Sequence, residues 1–465
     1  MQRVAVGMAG VILWPGAAWA AAGLDGAALS PWLGLPFAGM LLSIAVLPLL
    51  LPRLWHHHYG KVAAGWGALF LLPFAIGHGA GAAGGVLAHV VLEEYLPFVT
   101  LLLALYTTGG GVLLRGRLSG TPASNTALLA VGTVIASVMG TTGAAMLMIR
   151  PLIRANAHRQ YATHVFVFFT FLVANIGGGL TPLGDPPLYL GFLAGVPFFW
   201  PLTHLWQEVL FCAAILLAVF FALDTVQHRR EEGAVPDLPP ERFRLSGRVN
   251  LVLLAAVVAV VLLQGVWHPG SISVLGVETP IERMLGMAVF IGVAWASMHF
   301  TPFQIREENE FGWGAMKEVA KLFAAIFLTM APVLAMMRAG AAGPLGGLVG
   351  MLSGPDGAPL PWAYFWGAGI LSSVLDNAPT YLVFFNLAGG DAAALTGPGA
   401  LTLAAISCGA VFMGANTYIG NAPNFMVKAI VEERGARMPS FFGYAAWAGA
   451  VLVPLFLLVT FVFFR

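Results

Sequence analysis

Thr181-Pro182-Leu183-Gly184-Asp185-Pro186-Pro187 is a polar, proline-rich break inside an apolar segment that runs from residue 163 to residue 200. The whole chain is hydrophobic at 59% of its positions and charged at only 9%, and a soluble domain could not bury that much apolar surface. Non-helical backbone lies within a membrane only where protein or a wet cavity satisfies its polar groups. The break therefore predicts a discontinuous helix in an all-α polytopic membrane protein.

Apolar segments of spanning length recur along the rest of the chain. A spanning helix needs about 20 mostly apolar residues. The predicted spans are 35–51, 62–79, 95–114, 163–179, 204–226, 249–266, 282–299, 319–337 and 441–463. Residues 1–21 carry Arg3, an apolar run and the small-residue pattern Ala18-Trp19-Ala20. This layout predicts a cleavable signal peptide, with an uncleaved first anchor as the alternative.

Three further apolar stretches, 120–150, 359–389 and 400–430, are interrupted by Gly, Pro, Asn, Asp or Thr. We interpret the first two as re-entrant hairpins and the third as a second broken helix. Basic residues collect in cytoplasmic loops. If 120–150 enters and leaves on the cytoplasmic side and 359–389 on the outer side, 18 of the 22 Lys and Arg residues lie on the inner side. The exceptions are Arg3, Arg283, Arg338 and Arg465. The charges thus predict two hairpins of opposite sidedness in the cell inner membrane.

A second copy of the break, Thr417-Tyr418-Ile419-Gly420-Asn421-Ala422-Pro423, follows the first at an offset of 236 residues. The same offset relates Ser137-Val138 to Ser373-Val374, and the span 204–226 to 440–462. Many transporters are built from such inverted halves. The sequence predicts a first inverted repeat at 35–226 (hairpin 120–150, broken helix 163–200), a cytoplasmic linker at 227–248, and a second inverted repeat at 249–465 (hairpin 359–389, broken helix 400–430).

Two acidic residues lie within the interrupted segments, Asp185 at the first break and Asp376 at the second hairpin tip. A carboxylate within the membrane is costly and so predicts a functional site, although each Asp could instead cap a half-helix. Both are predicted to bind sodium, because hard cations prefer oxygen ligands, and no Cys or His joins the cluster. The other predicted ligands are Asn377, Thr141, Thr142, Thr181, Asn175, Asn416, Thr417 and Asn421.

The sequence resembles the NhaD-like sodium/proton antiporters of the ion transporter superfamily, which have bacterial citrate transporters as close relatives. The resemblance rests on the runs Asn175–Asp185, Leu375–Pro379 and Gly414–Asn424. It implies a homodimer in which each protomer has a scaffold and a transport domain that shifts like an elevator. It also implies that Asp185, Asp376 and Asn377 take part in cation binding.

One departure separates the chain from its anion-carrying relatives. Those proteins have Ser-Asn-Thr at both hairpin tips, whereas the tips here read Gly140-Thr141-Thr142-Gly143 and Asp376-Asn377-Ala378-Pro379. A negative charge at the second tip disfavours a dicarboxylate substrate, because like charges repel.

These features predict a secondary active transporter that exchanges sodium or lithium for protons by alternating access, since both cations would compete for the same carboxylates. The alternative is a sodium- or proton-coupled carrier of citrate or another dicarboxylate, which would need a cationic or hydroxyl-rich pocket. No Arg lies near either break. An intramembrane hydrolase would need a nucleophile with a base, or a metal triad, and neither pattern appears.

The net charge and the two cysteines indicate which partners and ligands the protein can have. The net charge of +1 gives no basic surface for nucleic acid, so the predicted partners are the lipid bilayer and small cations, with no cofactor. Cys212 and Cys408 lie in apolar runs at unrelated spacing, which predicts buried core residues rather than a disulfide or a metal site.

Overall fold

The computed structural model describes residues 24–117, 119–231 and 241–465. The predicted signal peptide at 1–21 lies outside these residues. The described chain is mostly helical, with only four short strands, which confirms the predicted all-α polytopic fold. Helices dominate because each backbone N–H and C=O in lipid must find its partner within its own segment.

The first part of the chain forms four helices before any strand. They are α1 (Leu35–Leu50), α2 (Pro52–His78), α3 (Ala80–His89) and α4 (Leu96–Gly109). A 3₁₀ turn at Pro31–Gly34 precedes α1, and a π-helical turn at Val90–Tyr95 joins α3 to α4. Because of this turn, Ala80–Gly109 is one helical segment of 30 residues.

The segment predicted as the first hairpin is a pair of helices separated by Gly140, and it is followed by the first broken helix. The elements are β1 (Leu113–Arg117), α5 (Pro122–Met139), α6 (Thr141–Asn156), α7 (Thr163–Leu172), a 3₁₀ turn (Ile176–Leu180), α8 (Pro186–Leu193), α9 (Trp200–His204) and α10 (Trp206–Arg229). The backbone of Gly140 has φ +81°, a conformation that side chains with a Cβ rarely adopt.

The second part of the chain again contains a helix pair and a broken helix. It begins with β2 (Glu241–Ser246), α11 (Val249–Gln264), β3 (Ser271–Val274), β4 (Val277–Pro280), α12 (Ile281–Phe300), α13 (Phe303–Glu308) and α14 (Gly314–Arg338). It continues with a 3₁₀ turn (Gly340–Ala342), α15 (Gly346–Met351), α16 (Pro361–Val374), α17 (Asn377–Leu387), α18 (Ala392–Thr396), α19 (Ala400–Met413), a 3₁₀ turn (Gly414–Asn416), α20 (Ala422–Glu433) and α21 (Phe441–Phe463).

Within the described residues, nine helical segments are long and apolar enough to cross a membrane. They are Pro31–Pro48, Pro52–His78, Ala80–Gly109, Pro122–Met139, Thr163–Leu180, Trp206–Arg229, Ile281–Phe300, Gly314–Arg338 and Phe441–Phe463. All but one overlap predicted spans; the exception, α5, lies in the segment predicted as a hairpin. The predicted span 249–266 is α11, which has only 16 residues. The protein is a multi-pass membrane protein.

The segment predicted as a polar linker is more ordered than its composition indicates. Helix α10 continues to Arg229, and strand β2 pairs antiparallel with β1, with Leu114 opposite Leu245. A short ribbon of this kind can keep one face polar and the other apolar, so polar composition does not reveal it. Residues 232–240 lie outside the described part of the chain.

Glu310, which follows α13, connects the first helix pair to the end of the second broken helix. Its Oε2 accepts a hydrogen bond from Arg150 Nη2 of α6 at 3.2 Å, and its Oε1 accepts one from Arg434, which directly follows α20. The Arg150 side chain is nearly buried, whereas Glu310 is exposed. One carboxylate therefore joins α6 and the end of α20 to the α13–α14 connection.

A buried ionic network holds the first hairpin to α10. Arg159 Nη1 lies 2.5 Å from Asp224 Oδ1, and both side chains are fully buried. The same Asp224 oxygen lies 2.9 Å from His164 Nε2, and Oδ2 accepts from Asn125 Nδ2 at 2.9 Å. Arg159 Nε also donates to Glu231 at 3.0 Å. Every residue of this network has a partner of opposite charge or a hydrogen-bond partner, although Arg159 Nη2 donates no hydrogen bond, and such pairing is the condition for a buried charge to be tolerated.

Candidate functional site

The two breaks are built in the same way. Extended backbone at Thr181 separates the 3₁₀ turn from α8, and extended backbone at Thr417 separates the corresponding turn from α20. Thr181 Oγ1 donates to Ser137 O at 2.5 Å, and Thr417 Oγ1 donates to Ser373 O at 2.6 Å. The two hydrogen bonds are related by the offset of 236 residues. Each threonine hydroxyl therefore donates a hydrogen bond to a backbone carbonyl near the end of an earlier helix, at Ser137 in α5 or Ser373 in α16.

Backbone crosses backbone at each break without room for a side chain. A Cβ on Gly184 would lie 2.2 Å from Gly178 O, and a Cβ on Gly420 would lie 2.6 Å from Gly414 O. Contacts of that length do not occur for real Cβ atoms, so glycine is required there for the chain to cross. These crossings fix where the residues after each glycine, Asp185 and Asn421, are placed.

Asp185 is buried, with 1% of its surface exposed. Its Oδ1 accepts from Thr141 Oγ1 at 2.9 Å and from Asn421 Nδ2 at 3.2 Å, and its Oδ2 accepts from Asn377 Nδ2. The hydrogen-bond donors are thus all neutral. No Lys, Arg or His of the described residues forms an ion pair with this carboxylate.

Four helix N-termini meet at the Asp185 carboxylate. Thr141 and Asn377 are the first residues of α6 and α17, and Asp185 and Asn421 immediately precede α8 and α20. Each helix N-terminus carries a partial positive charge. The four termini therefore supply partial charge to a carboxylate that has no full positive charge beside it.

Asn175 and Asn424 form hydrogen bonds that hold the Asn421 side chain in place beside Asp185. Asn175 Oδ1 accepts from Asn421 Nδ2 at 3.2 Å, and its own Nδ2 donates to Asn424 Oδ1 at 2.7 Å. Asn424 in turn donates to Gly414 O and Thr417 O, both at 2.8 Å. Asn424 was not among the predicted site residues, although it closes the Gly414–Asn424 run on which the resemblance rests.

Asp376 has a different environment from Asp185. Its Oδ1 accepts from the N–H of Ala378 at 3.1 Å and so caps α17, whereas Asp185 makes no capping hydrogen bond to α8. Asp376 is half-buried, and it is not among the hydrogen-bond partners of Asp185. Asp376 therefore caps a half-helix, which was the alternative role for both aspartates, whereas Asp185 does not.

A cavity of about 100 Å³ lies beside Asp185. Its walls come from α4, the first hairpin tip, the first break and the starts of α14 and α20, and both Thr141 and Thr142 line it. Asp185 is the one charged residue in the lining, and Asp376 does not reach it. Within the described chain, the buried amide oxygens Asn377 Oδ1 and Asn416 Oδ1 accept no hydrogen bond.

The sequence as a whole was compared with known proteins. The profile of a family described as "Putative citrate transport" matches residues 26–464, which is almost all of the described chain. The chain belongs to this family. Two proteins named as uncharacterized transporters, from Mycobacterium bovis and Mycobacterium tuberculosis, are each 24% identical over 327 residues, covering 69% of this chain and 72% of their own length. This member of the citrate-transport family is therefore a membrane transporter.

The structure brings five of the ten predicted site residues into one network: Asp185, Thr141, Asn377, Asn421 and Asn175. Thr142 lines the cavity. The other hydroxyls and amides have structural partners, because Thr181 and Thr417 bond to backbone and Asn416 Nδ2 donates to Ser373 Oγ at 2.8 Å.

Replacing Gly184 by alanine should destabilise the protein by about 1–3 kcal/mol, because the new methyl group forces the crossing apart. Transport should fall as well, since Gly184 O accepts from Thr141 N at 2.8 Å and so positions the Thr141 hydroxyl on Asp185. Thermal unfolding in detergent and flux in liposomes measure both effects. Gly449→Ala is the control, because a Cβ there meets nothing within 4 Å. Equal behaviour of the two variants would contradict the tight crossing.

Proposed function

We propose that the protein exchanges sodium or lithium ions for protons across the inner membrane by alternating access. The observation that carries the proposal is the buried Asp185 carboxylate, which has three neutral donors and no basic partner among the described residues. An uncompensated charge in a low-dielectric interior is costly. Such a carboxylate holds either a proton or a metal cation, and exchange between the two is the reaction of an antiporter.

The oxygen atoms around Asp185 suit a hard cation. Asn377, whose Nδ2 donates to Asp185, has a buried Oδ1 without a donor, and Thr141 and Thr142 add hydroxyl oxygens at the cavity wall. Hard cations take carboxylate, amide, hydroxyl and carbonyl oxygens as ligands. In the proposal, a sodium ion at Asp185 displaces the proton, because metal binding requires the deprotonated ligand.

Alternating access rests on the proposed repeat. The threonine hydrogen bonds and the glycine crossings recur at the offset of 236 residues, which supports two related halves. In transporters built from inverted halves, broken helices carry the site near the bilayer midplane. We propose the same organisation here, with the two helix pairs and two broken helices as a moving domain, Asp376 as a second cation ligand in part of the cycle, and a homodimer as the assembly.

Citrate or dicarboxylate transport coupled to sodium or protons is the second candidate. The family description favours it, and four helix N-termini at one point are suited to an anion. Against it, an anionic side chain already occupies that point, and no Lys, Arg or His lines the adjoining cavity. A cavity of about 100 Å³ accommodates a few water molecules or a desolvated ion more readily than a tricarboxylate.

Proteoliposomes with a pH-sensitive dye inside distinguish the two functions. We expect a sodium or lithium gradient to drive proton movement in the opposite direction, and we expect citrate neither to change that signal nor to be taken up. Protein-free liposomes are the control for leakage. Sodium-dependent uptake of labelled citrate, without proton movement driven by sodium alone, would establish the second candidate instead.

A further inference from the structure

A second and larger cavity lies between α5 and α11, away from Asp185. Its volume is about 730 Å³, within the range of small-molecule binding sites. The walls include Val131, Val134 and Val138 of α5 and Leu251 and Leu254 of α11. Every lining side chain is apolar except Ser124, which lies near the start of α5. We call this cavity the lateral crevice.

The lateral crevice is open to the outside of the protein. The side chains of Val131, Val134 and Val138 are 51%, 69% and 49% exposed, and Leu251 is 39% exposed. Apolar cavities do not hold ordered water, and an unfilled void loses the dispersion contacts of its lining. In a chain that spans a membrane, hydrocarbon is the material that fills such a space.

The two ends of the lateral crevice differ. One end is at the β1–β2 ribbon, where Leu114 and Leu245 line it. Arg248 precedes α11 at this end, one helical turn before Leu251, so that it lies on nearly the same side of the helix. Its side chain is exposed and forms no ion pair with any acidic residue in the described part of the chain. The mouth is thus basic, and the interior is apolar.

The other end of the lateral crevice lies next to the cavity beside Asp185. Met139, the last residue of α5, lines both the lateral crevice and the cavity beside Asp185. Gly140 and the hairpin tip follow it directly. Whatever fills the crevice is therefore separated from the Asp185 cavity by one side chain.

We propose that an anionic phospholipid occupies the lateral crevice, with its phosphate at Arg248 and an acyl chain extending along α5 to Met139. A basic mouth above an apolar channel matches a negatively charged headgroup above its hydrocarbon chain. Positive charge on the cytoplasmic side places this lipid in the inner leaflet. The lipid closes the wall between α5 and α11 and keeps the membrane side of the Asp185 cavity free of water.

Native mass spectrometry of the purified protein tests the proposal. Wild type mixed with equal amounts of phosphatidylglycerol and phosphatidylethanolamine should retain one phosphatidylglycerol per protomer. Val134→Trp fills the crevice and should lose it. Leu457→Trp is the matched control, because Leu457 is also an exposed apolar residue, 46% exposed on α21, but does not line the crevice. Retention in Val134→Trp equal to wild type, or equal loss in Leu457→Trp, would overturn the proposal.

The headgroup contact has its own test. Arg248→Gln should lower the preference for phosphatidylglycerol over phosphatidylethanolamine about fivefold. Arg229→Gln, an exposed arginine elsewhere on the predicted inner side, should leave it unchanged. An unchanged preference in Arg248→Gln would remove Arg248 from the site.

Photocrosslinking of wild type avoids any folding defect in the variants. A phosphatidylglycerol with a diazirine in its acyl chain should label peptides from α5 and α11. Labelling spread evenly over all spans would mean an annular lipid only and overturn the proposal. A change of oligomeric mass in Val134→Trp, with no change in bound lipid, would instead assign the crevice to a second copy of the chain.

Discussion

Asp185→Asn is expected to abolish sodium-driven proton movement in proteoliposomes. The amide has nearly the same shape but lacks the negative charge, and it places an N–H group where the carboxylate accepted from Thr141, Asn421 or Asn377. One unit charge about 4 Å from a cation contributes about 4 kcal/mol at an effective dielectric constant near 20. Sodium affinity should therefore fall about a thousandfold.

Asp391→Asn is the matched control for this substitution. Asp391 is exposed and caps α18 through the N–H groups of Ala393 and Ala394, so the same chemical change occurs far from the site. It should transport like wild type. Asp376→Asn provides the comparison within the proposed site and should reduce exchange as well. Normal exchange by Asp185→Asn in correctly folded protein would refute a cation site at this carboxylate.

Asp224→Asn is expected to lower stability by about 3–5 kcal/mol, the usual effect of removing one partner from a buried ion pair. Arg159 would keep its charge with only Glu231 to balance it, and both Arg159 and Asp224 are fully buried. In detergent, the midpoint of thermal unfolding followed by tryptophan fluorescence should fall by roughly 5 °C or more.

Glu308→Gln tests whether burial of the ion pair is the reason for the loss of stability expected in Asp224→Asn. Glu308 forms an ion pair with Arg115 in which both side chains are nearly half exposed. Exposed pairs contribute little because water and salt screen them. The unfolding midpoint of Glu308→Gln should therefore stay close to that of wild type. A fall as large as that of Asp224→Asn would show that the buried ion pair contributes no more to stability than the exposed one.

The breaks could be predicted from the sequence because Gly, Pro and Asp residues are conspicuous in an apolar segment. The centre of the site followed from them, since Asp185 and Asn421 occupy the same position in both breaks. The Asp224 network could not be predicted, because Arg159 and Asp224 are 65 residues apart and neither lies in a distinctive motif. The sequence also did not reveal that Asp376 caps a helix and Asp185 does not, because capping depends on the direction of the side chain.

The β1–β2 ribbon was also missed, for a different reason. Its strands are 5 and 6 residues long and pair across more than 100 positions of the chain. β1 reads Leu-Leu-Arg-Gly-Arg and shows no clear period, whereas β2 alternates from Arg242 to Ser246, a strand signal that its polar, proline-rich surroundings led us to assign to a linker. The apolar face of the ribbon forms where Leu114 of β1 pairs with Leu245 of β2.

Cys212 and Cys408 are the only cysteines in the chain, and both are completely buried. A maleimide reagent in water should therefore leave the natural protein unmodified. Single cysteines introduced at the cavity or the hairpin tips could then be tagged without first mutating the natural pair. The rate of tagging from each side of the bilayer, with and without sodium, would report directly which side the site faces.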